Sequence, residues 1–426
     1  MKKVVILGAG ISGLSAAYHL QRKGIQSIVF EKDSEWGGLC GCFTVGGFLF
    51  DRFPHISFTN NKYVRSFFKK SAFSYTLPMD YVNYWKGYWL KHPAQSNLYP
   101  LPVDEKVRII CDFAKRFQNA SDVAETYADW CLRQFGLYFY EHFIRPYTQK
   151  YWGRELGSLT TSWIKNRVHT LQLEEVLEGA FQDQSKNFHY VQEQRYPKKG
   201  GFKSFLNLLA NCSDIRCDKE VVEIFPNNRK ILFSDGGEVF YDILISTLPL
   251  SEIVRKISIC PKKILEASEQ LRWTCGYQIS LGFNRADIPK NTVVYIYDRN
   301  VLPSRVHSPS MLSPSNAPMD CSSLQAEVYW DCKAEMPNAE TVLRRAIEDL
   351  KPIFHFTDQD IIAKDIRFEP YANIAFVSGT EKYRQYIRDY LYSLGIETIG
   401  RFGEWDYLWT DQSFLSGYNV CGRIGA

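Results

Sequence analysis

Apolar and polar positions follow three rhythms along this chain, and each predicts a different element. The continuous apolar run at residues 4–7 gives way to Gly8-Ala9-Gly10-Ile11-Ser12-Gly13, then to residues 12–23 with apolar positions at helical spacing, then to 27–30 closing on Glu31. Short apolar runs bounded by glycine read as buried strands, and the longer period between them as a helix. Aromatic and polar residues alternate over 81–90 around Lys86-Gly87, which predicts a hairpin ended by Pro100-Leu101-Pro102. Helical spacing returns over 104–117 and 122–135, and with 137–144 it predicts a helical insertion lobe.

Pro197-Lys198-Lys199-Gly200-Gly201-Phe202 opens a helix to about 209. Strands follow at 220–225, at 230–234 after an Asn227-Asn228 turn, and at 238–246 after Asp235-Gly236-Gly237. Further strands between 278 and 330 surround a proline- and serine-rich loop at 301–318. Helices are expected at 339–350 and 381–394, and a last one from about Asp411, capped by Thr410.

Each opening glycine has a physical task. Gly8 permits the tight turn, Gly10 lets backbone approach a pyrophosphate, and Gly13 lets the helix lie close on the sheet. The helix start presents unpaired N–H groups to phosphate, with Ile11 and Ser12 in its first turn. Glu31 stands where a ribose-binding carboxylate belongs, so the chain is expected to bind a dinucleotide rather than to carry a merely glycine-rich turn. Lys2-Lys3 before an apolar run imitates a secretory signal, but the glycines break it at fingerprint spacing. Gly37-Gly38-Leu39, just past Glu31 and Lys32, resembles the glycine-pair element of FAD proteins in the amine oxidase and glutathione reductase superfamily, and that resemblance favours FAD over a nicotinamide. The expected fold is α/β. A Rossmann-like FAD-binding domain is assembled from residues 1–80, 186–265 and 381–426, with a hairpin and helical lobe at 81–185 and an antiparallel-sheet substrate domain at 266–380.

Composition narrows the partners. A net charge of +4 on 426 residues argues against nucleic acid, and no apolar run approaches a membrane span. Eleven cysteines without a C-x-x-C pair or zinc spacing read as reduced thiols of a cytoplasmic protein, with no metal site.

Several segments together resemble the UDP-galactopyranose mutase family. They are the run from Asp51-Arg52-Phe53-Pro54-His55 to Lys62, Arg145-Pro146-Tyr147-Thr148-Gln149-Lys150-Tyr151-Trp152-Gly153, Ser162-Trp163-Ile164-Lys165-Asn166-Arg167-Val168, Tyr295-Ile296-Tyr297-Asp298 with Leu302-Pro303-Ser304-Arg305-Val306, and Gly400-Arg401-Phe402-Gly403-Glu404-Trp405-Asp406-Tyr407. The resemblance implies a redox-neutral exchange of pyranose and furanose forms of a nucleotide-diphosphate sugar, through an adduct of the sugar on N5 of reduced FAD, serving polysaccharide synthesis. NAD(P)H or another reductant would prime the flavin, and a homodimer is possible. It further implies that Arg167 and Arg305 grip the diphosphate, that His55 lies beside the flavin, and that Tyr297, Tyr407 and Trp163 close on the substrate. Val222, Thr247, Gly400, Arg401, Asp411, Gln412 and Ser413 are the remaining cofactor contacts expected. Asp406 and Leu312 depart from the family pattern, which puts the sugar in question. Two alternatives stay open: an amine oxidase or desaturase that shares the opening motif, and a non-catalytic flavin-binding protein.

Overall fold

The computed structural model describes residues 2–116, 124–164, 168, 170–183 and 193–424. Strand β1 (Val4–Leu7) runs parallel between β2 (Ser27–Phe30) and Ile243–Ser246, with Asp214–Arg216 and Ile396–Thr398 at the two edges. A strand covered on both faces needs no alternation, which is why β1 is apolar throughout. Residues from the beginning, middle and end of the described chain thus share one sheet.

Helix α1 (Ile11–Arg22) lies on this sheet and packs against the terminal helix Thr410–Ile424. Glycine makes both approaches possible. A Cβ on Gly13 would stand 2.0 Å from the Gly8 carbonyl oxygen, and one on Gly417 would stand 2.2 Å from that of Ser12.

The second large sheet has, among the described residues, the order Ile361–Ala375, Arg272–Phe283, Ser322–Asp331, Arg305–His307, Val293–Ile296, Tyr81–Trp85, Tyr88–Lys91. One face, carrying Ile279, Leu281, Leu324, Ala326 and Val328, packs on helix Ala339–Phe354 through Val342, Ala346 and Leu350. The register makes Gln278 and Glu327 neighbours, as it does Ser280 and Gln325, and His307 and Gln325; all five are buried. Alternation therefore separates an apolar face from a buried polar one.

Several expectations need correction. The 81–91 hairpin joins this sheet, with Tyr81–Trp85 parallel to Val293–Ile296, instead of standing with the helices. Two strands alone cannot bury Tyr81, Asn83 and Trp85, so they borrow a neighbour. Strand Ile361–Ala375 was not anticipated, because Lys364, Asp365 and Arg367 interrupt its apolar alternation at the sheet edge. The helix expected after Pro197 is a 3₁₀ turn, Phe202–Leu206, leading into Asn207–Asn211. The Phe202 amide donates to buried Asp51 at 2.9 Å, and burial pushes that carboxyl up to about 7. In the helical region Val103–Lys115 and Tyr127–Phe135 form, the latter capped by Thr126 with Asp129 in a capping box.

The two glycines of the terminal helix make opposite predictions. Gly417→Ala should lower unfolding stability by about 1–3 kcal/mol through overpacking. Gly422→Ala, whose Cβ would meet nothing within 4 Å, should raise it by about 0.5–1 kcal/mol. Urea titrations of the two variants check both signs.

Candidate functional site

The carboxyl end of β1 opens into a cavity of about 630 Å³. Gly8, at φ +96°, takes a backbone conformation suited to glycine, and a Cβ there would meet Thr247 Oγ1 at 2.1 Å. Thr247 also lines the cavity and donates its hydroxyl to the Leu7 carbonyl at 2.9 Å. A Cβ on Gly10 would meet nothing within 4 Å, so this backbone borders open space at the start of α1. Gly37 donates its amide to Ala9 at 2.9 Å, and Gly38 sits so close that its Cβ would be 3.2 Å from the Gly10 Cα. The Ala9 and Asp33 amides donate to Glu31 at 2.7 and 3.1 Å, fixing the carboxylate in the wall. Ile11, Ser12, Lys32 and Leu39 line the same end. Glycine backbone facing space, a helix start and a fixed carboxylate fit the pyrophosphate and ribose of FAD.

Toward the other end, the terminal helix brings Asp411 and Ser413 to the wall. Thr410 is its first residue and not its cap; the Trp409 amide instead donates to Gln412 Oε1 at 2.9 Å. Gln412 lies outside this cavity, beside Arg388 and Glu404. Gly400 comes so close to Ser12 that a Cβ would be 2.5 Å from its Oγ. Arg401 donates to the Leu408 carbonyl at 3.1 Å and to Asn373 Oδ1 at 3.0 Å, and covers the Tyr407 ring.

His55 lines the cavity with Nδ1 2.6 Å from the Phe53 carbonyl. A carbonyl only accepts, so Nδ1 carries the proton and Nε2 is left as an acceptor. Burial pulls the ring down to about 4 against the opposing pull of that carbonyl. His55 is therefore neutral at pH 7.

Arg305 begins its strand and donates through Nε and Nη2 to Glu327 at 2.6 and 2.9 Å. Burial pushes Glu327 up, but Arg305 and His307 outweigh it and hold the carboxyl at about 2. The guanidinium lies over Tyr151 and Tyr295, at 5.6 and 6.0 Å from the ring centres.

The structure brings His55, Arg305 and Tyr407 to one cavity. Tyr297 and Trp163 are not in its lining: Tyr297 packs on Phe143 and Tyr147, and Trp163 on Trp152 and Tyr407. Gly13 serves helix packing. Val222 is exposed while Val221 lines the wall, a one-residue miss that strand alternation turns into opposite faces. Arg167 lies outside the described residues. Asp406 pairs with Arg384 at 3.5 Å and Leu312 is buried in the core, so neither departure from the family pattern lines the cavity. Sequence reasoning missed Arg52, Tyr151 and Asn373. Arg52 joins Asp33 and Glu369 at 2.5 and 2.7 Å, and Tyr151 donates to Asn373 at 3.2 Å. Arg52 and Tyr151 stood within the segments that carried the resemblance, and Asn373 on the strand that went unseen.

A split parallel sheet with this cradle, joined to a second sheet over one cavity, defines a mixed α/β dinucleotide-binding flavoprotein fold. The chain belongs to the flavin-containing amine oxidoreductase family, whose model matches residues 11–424, and that family implies FAD. Its fold is similar to a solved structure of reduced UDP-galactopyranose mutase (TM-score 0.93, 22% identity, 100% of this chain and 95% of that one). It is also similar to a putative protoporphyrinogen oxidase from Exiguobacterium sp. 255-15 (TM-score 0.74, 18% identity, 99% and 98%). Among curated proteins it is 46% identical over 56 residues to 1-hydroxycarotenoid 3,4-desaturase of Flavobacterium sp., 13% of this chain and 12% of that protein. It is 23% identical over 263 residues to UDP-galactopyranose mutase of Mycoplasma pneumoniae, 54% and 58% of the two chains. The chain thus spans well under two thirds of the length of these curated relatives.

Two tests follow from the geometry. Gly10→Val should leave the folded far-ultraviolet spectrum intact while the purified protein loses most of its bound flavin, read from its visible absorbance. Glu327 is held below its ordinary value of 4.5, so its stabilisation is present above that pH and disappears as pH falls through about 2. The contribution is about 3 kcal/mol, and Glu327→Gln should flatten the stability curve in that acid window.

Proposed function

We propose that the protein is an FAD-dependent isomerase of the UDP-galactopyranose mutase kind, interconverting ring forms of a nucleotide-diphosphate sugar while its flavin is reduced. The observation that carries this reading is the buried polar face of the second sheet, whose Arg305 reaches the cavity wall backed by Glu327. A hydrocarbon substrate gains nothing from such a wall, whereas a sugar diphosphate offers acceptors and hydroxyls to it. The full-length likeness in fold to a reduced mutase supports the same reading.

When bound and reduced, the flavin supplies an electron-rich nitrogen able to attack an anomeric carbon. The chain supplies position and charge. Arg305, its fork held by Glu327, donates to the diphosphate as negative charge builds on it, and the Tyr151 ring backs the guanidinium. Because Glu327 neutralises part of that charge, a second cation is needed, and Arg167 is assigned that part. Neutral His55 would offer Nε2 as an acceptor to the bound flavin, and the start of the terminal helix, with Asp411 and Ser413 in the cavity wall, would favour negative charge on it. Tyr407, braced by Arg401, closes the sugar side.

The family match and the desaturase relative favour a second reading, substrate oxidation. Incubation of a UDP-hexofuranose with dithionite-reduced protein should yield the pyranose isomer without oxygen uptake; stoichiometric oxygen uptake with an amine or polyene, and no ring isomer, would establish the oxidase instead. Arg305→Lys, which keeps a cation beside Glu327 but loses the fork, should lower kcat/KM about ten- to a hundredfold.

A further inference from the structure

The hairpin loop between Tyr297 and Arg305 is organised around one ammonium from another element. Lys150, on helix Arg145–Trp152, donates from Nζ to the carbonyls of Asp298, Val301 and Pro303 at 2.9, 3.1 and 3.0 Å. An ammonium has three N–H donors, and all three are spent on this loop. Tyr147 and Tyr151, three residues before and one after Lys150, face the same hairpin: Tyr147 packs on Tyr295 and Tyr297, and Arg305 covers Tyr151. The loop ends at once in the sheet, where the Ser304 amide donates to the Glu327 carbonyl at 2.9 Å. Pro303 is therefore separated from Arg305 by Ser304 alone.

We propose that Lys150 is a positioning residue for Arg305: as an ammonium it gathers three carbonyls and fixes the start of the arginine's strand, and on losing its proton it releases one of them and loosens the anion site. The proposal rests on reading Arg305 as a diphosphate ligand. A neutral amine has two donors and a lone pair, so one of the three carbonyls would face that lone pair. Burial lowers Lys150 to about 7, partly offset by Asp298 and Asp349. Arg299 lies on the loop itself, and its charge acts on His142; the carboxylates are held as follows. Asp298 accepts from the Asn300 amide at 3.0 Å and lies near Tyr84. Asp349 accepts from the Leu302 amide at 2.8 Å and pairs with Arg345 at 2.7 Å, and Arg345 donates to the Asn300 carbonyl at 3.0 Å. Lys150 thus gives up its proton across the neutral range instead of well above it, and the three-donor arrangement belongs to the acid side of that range.

The test uses FAD-loaded protein, with UDP as probe, titrated calorimetrically from pH 6 to 8.5, and amide hydrogen exchange over residues 298–306. Wild type should lose about tenfold in UDP affinity across a step near pH 7, with intrinsic-rate-corrected protection of 298–306 falling in the same step and that of 322–331 unchanged. Lys150→Arg, which cannot deprotonate in this range, should keep the low-pH affinity and abolish the step. Lys150→Met should bind UDP weakly at every pH while retaining its flavin. A wild-type pH profile in Lys150→Met, a step that survives in Lys150→Arg, or constant protection of 298–306 in wild type overturns the proposal; the last two need no methionine variant. Should wild type show the exchange step but bind no UDP at any pH, Lys150 keeps its hold on the loop and the diphosphate reading of Arg305 fails.

Discussion

The cofactor end of the molecule depends on backbone meeting backbone where no side chain fits. Gly8 and Gly13 set β1 against α1, and Gly400 and Gly417 set the last described segment against the same helix. These approaches place the start of α1, Glu31 and the start of the terminal helix around a single cavity. The two helix starts owe their shared cavity to that packing, and because a helix's field fades within about one turn, neither would reach it from further away.

The second sheet obeys the opposite constraint. Its inner face buries Gln278, Glu327 and His307, groups that cost free energy unless they are partnered. The fork of Arg305 on Glu327 answers the largest part of that cost, and the pair is held in register by strands Arg305–His307 and Ser322–Asp331, where the two residues lie opposite each other. A buried ion pair of this kind adds little net stability compared with apolar packing, but it fixes where a guanidinium points. In this molecule it fixes it at the cavity wall.

The cofactor end was legible because its signals are local. Strand, glycine turn, helix and acidic end lie within residues 4–31, and their spacing carries the physics directly. Around Arg305 only that arginine was legible, and only through family resemblance; Tyr151 and Asn373 come from two further segments that nothing in local periodicity brings beside it, and they were missed. Tyr297 and Trp163 share the aromatic character of the wall yet stand behind it, a distinction that packing alone decides. Val222 shows the limit within one strand: β periodicity is seen readily, but which parity faces inward is set by the neighbouring sheet. Strand Ile361–Ala375 hid because an edge strand is free to carry charges that erase alternation.

The split sheet also bears on how the polypeptide is made. Strand Ile396–Thr398 and helix Thr410–Ile424 complete a layer begun by residues 4–30, so a nascent chain on the ribosome carries an unfinished edge through most of its synthesis. Contacts of such long sequence separation form slowly and leave apolar surface uncovered meanwhile. The cavity wall to which Gly400, Arg401 and Asp411 contribute is therefore completed only when these late segments have docked on the early ones.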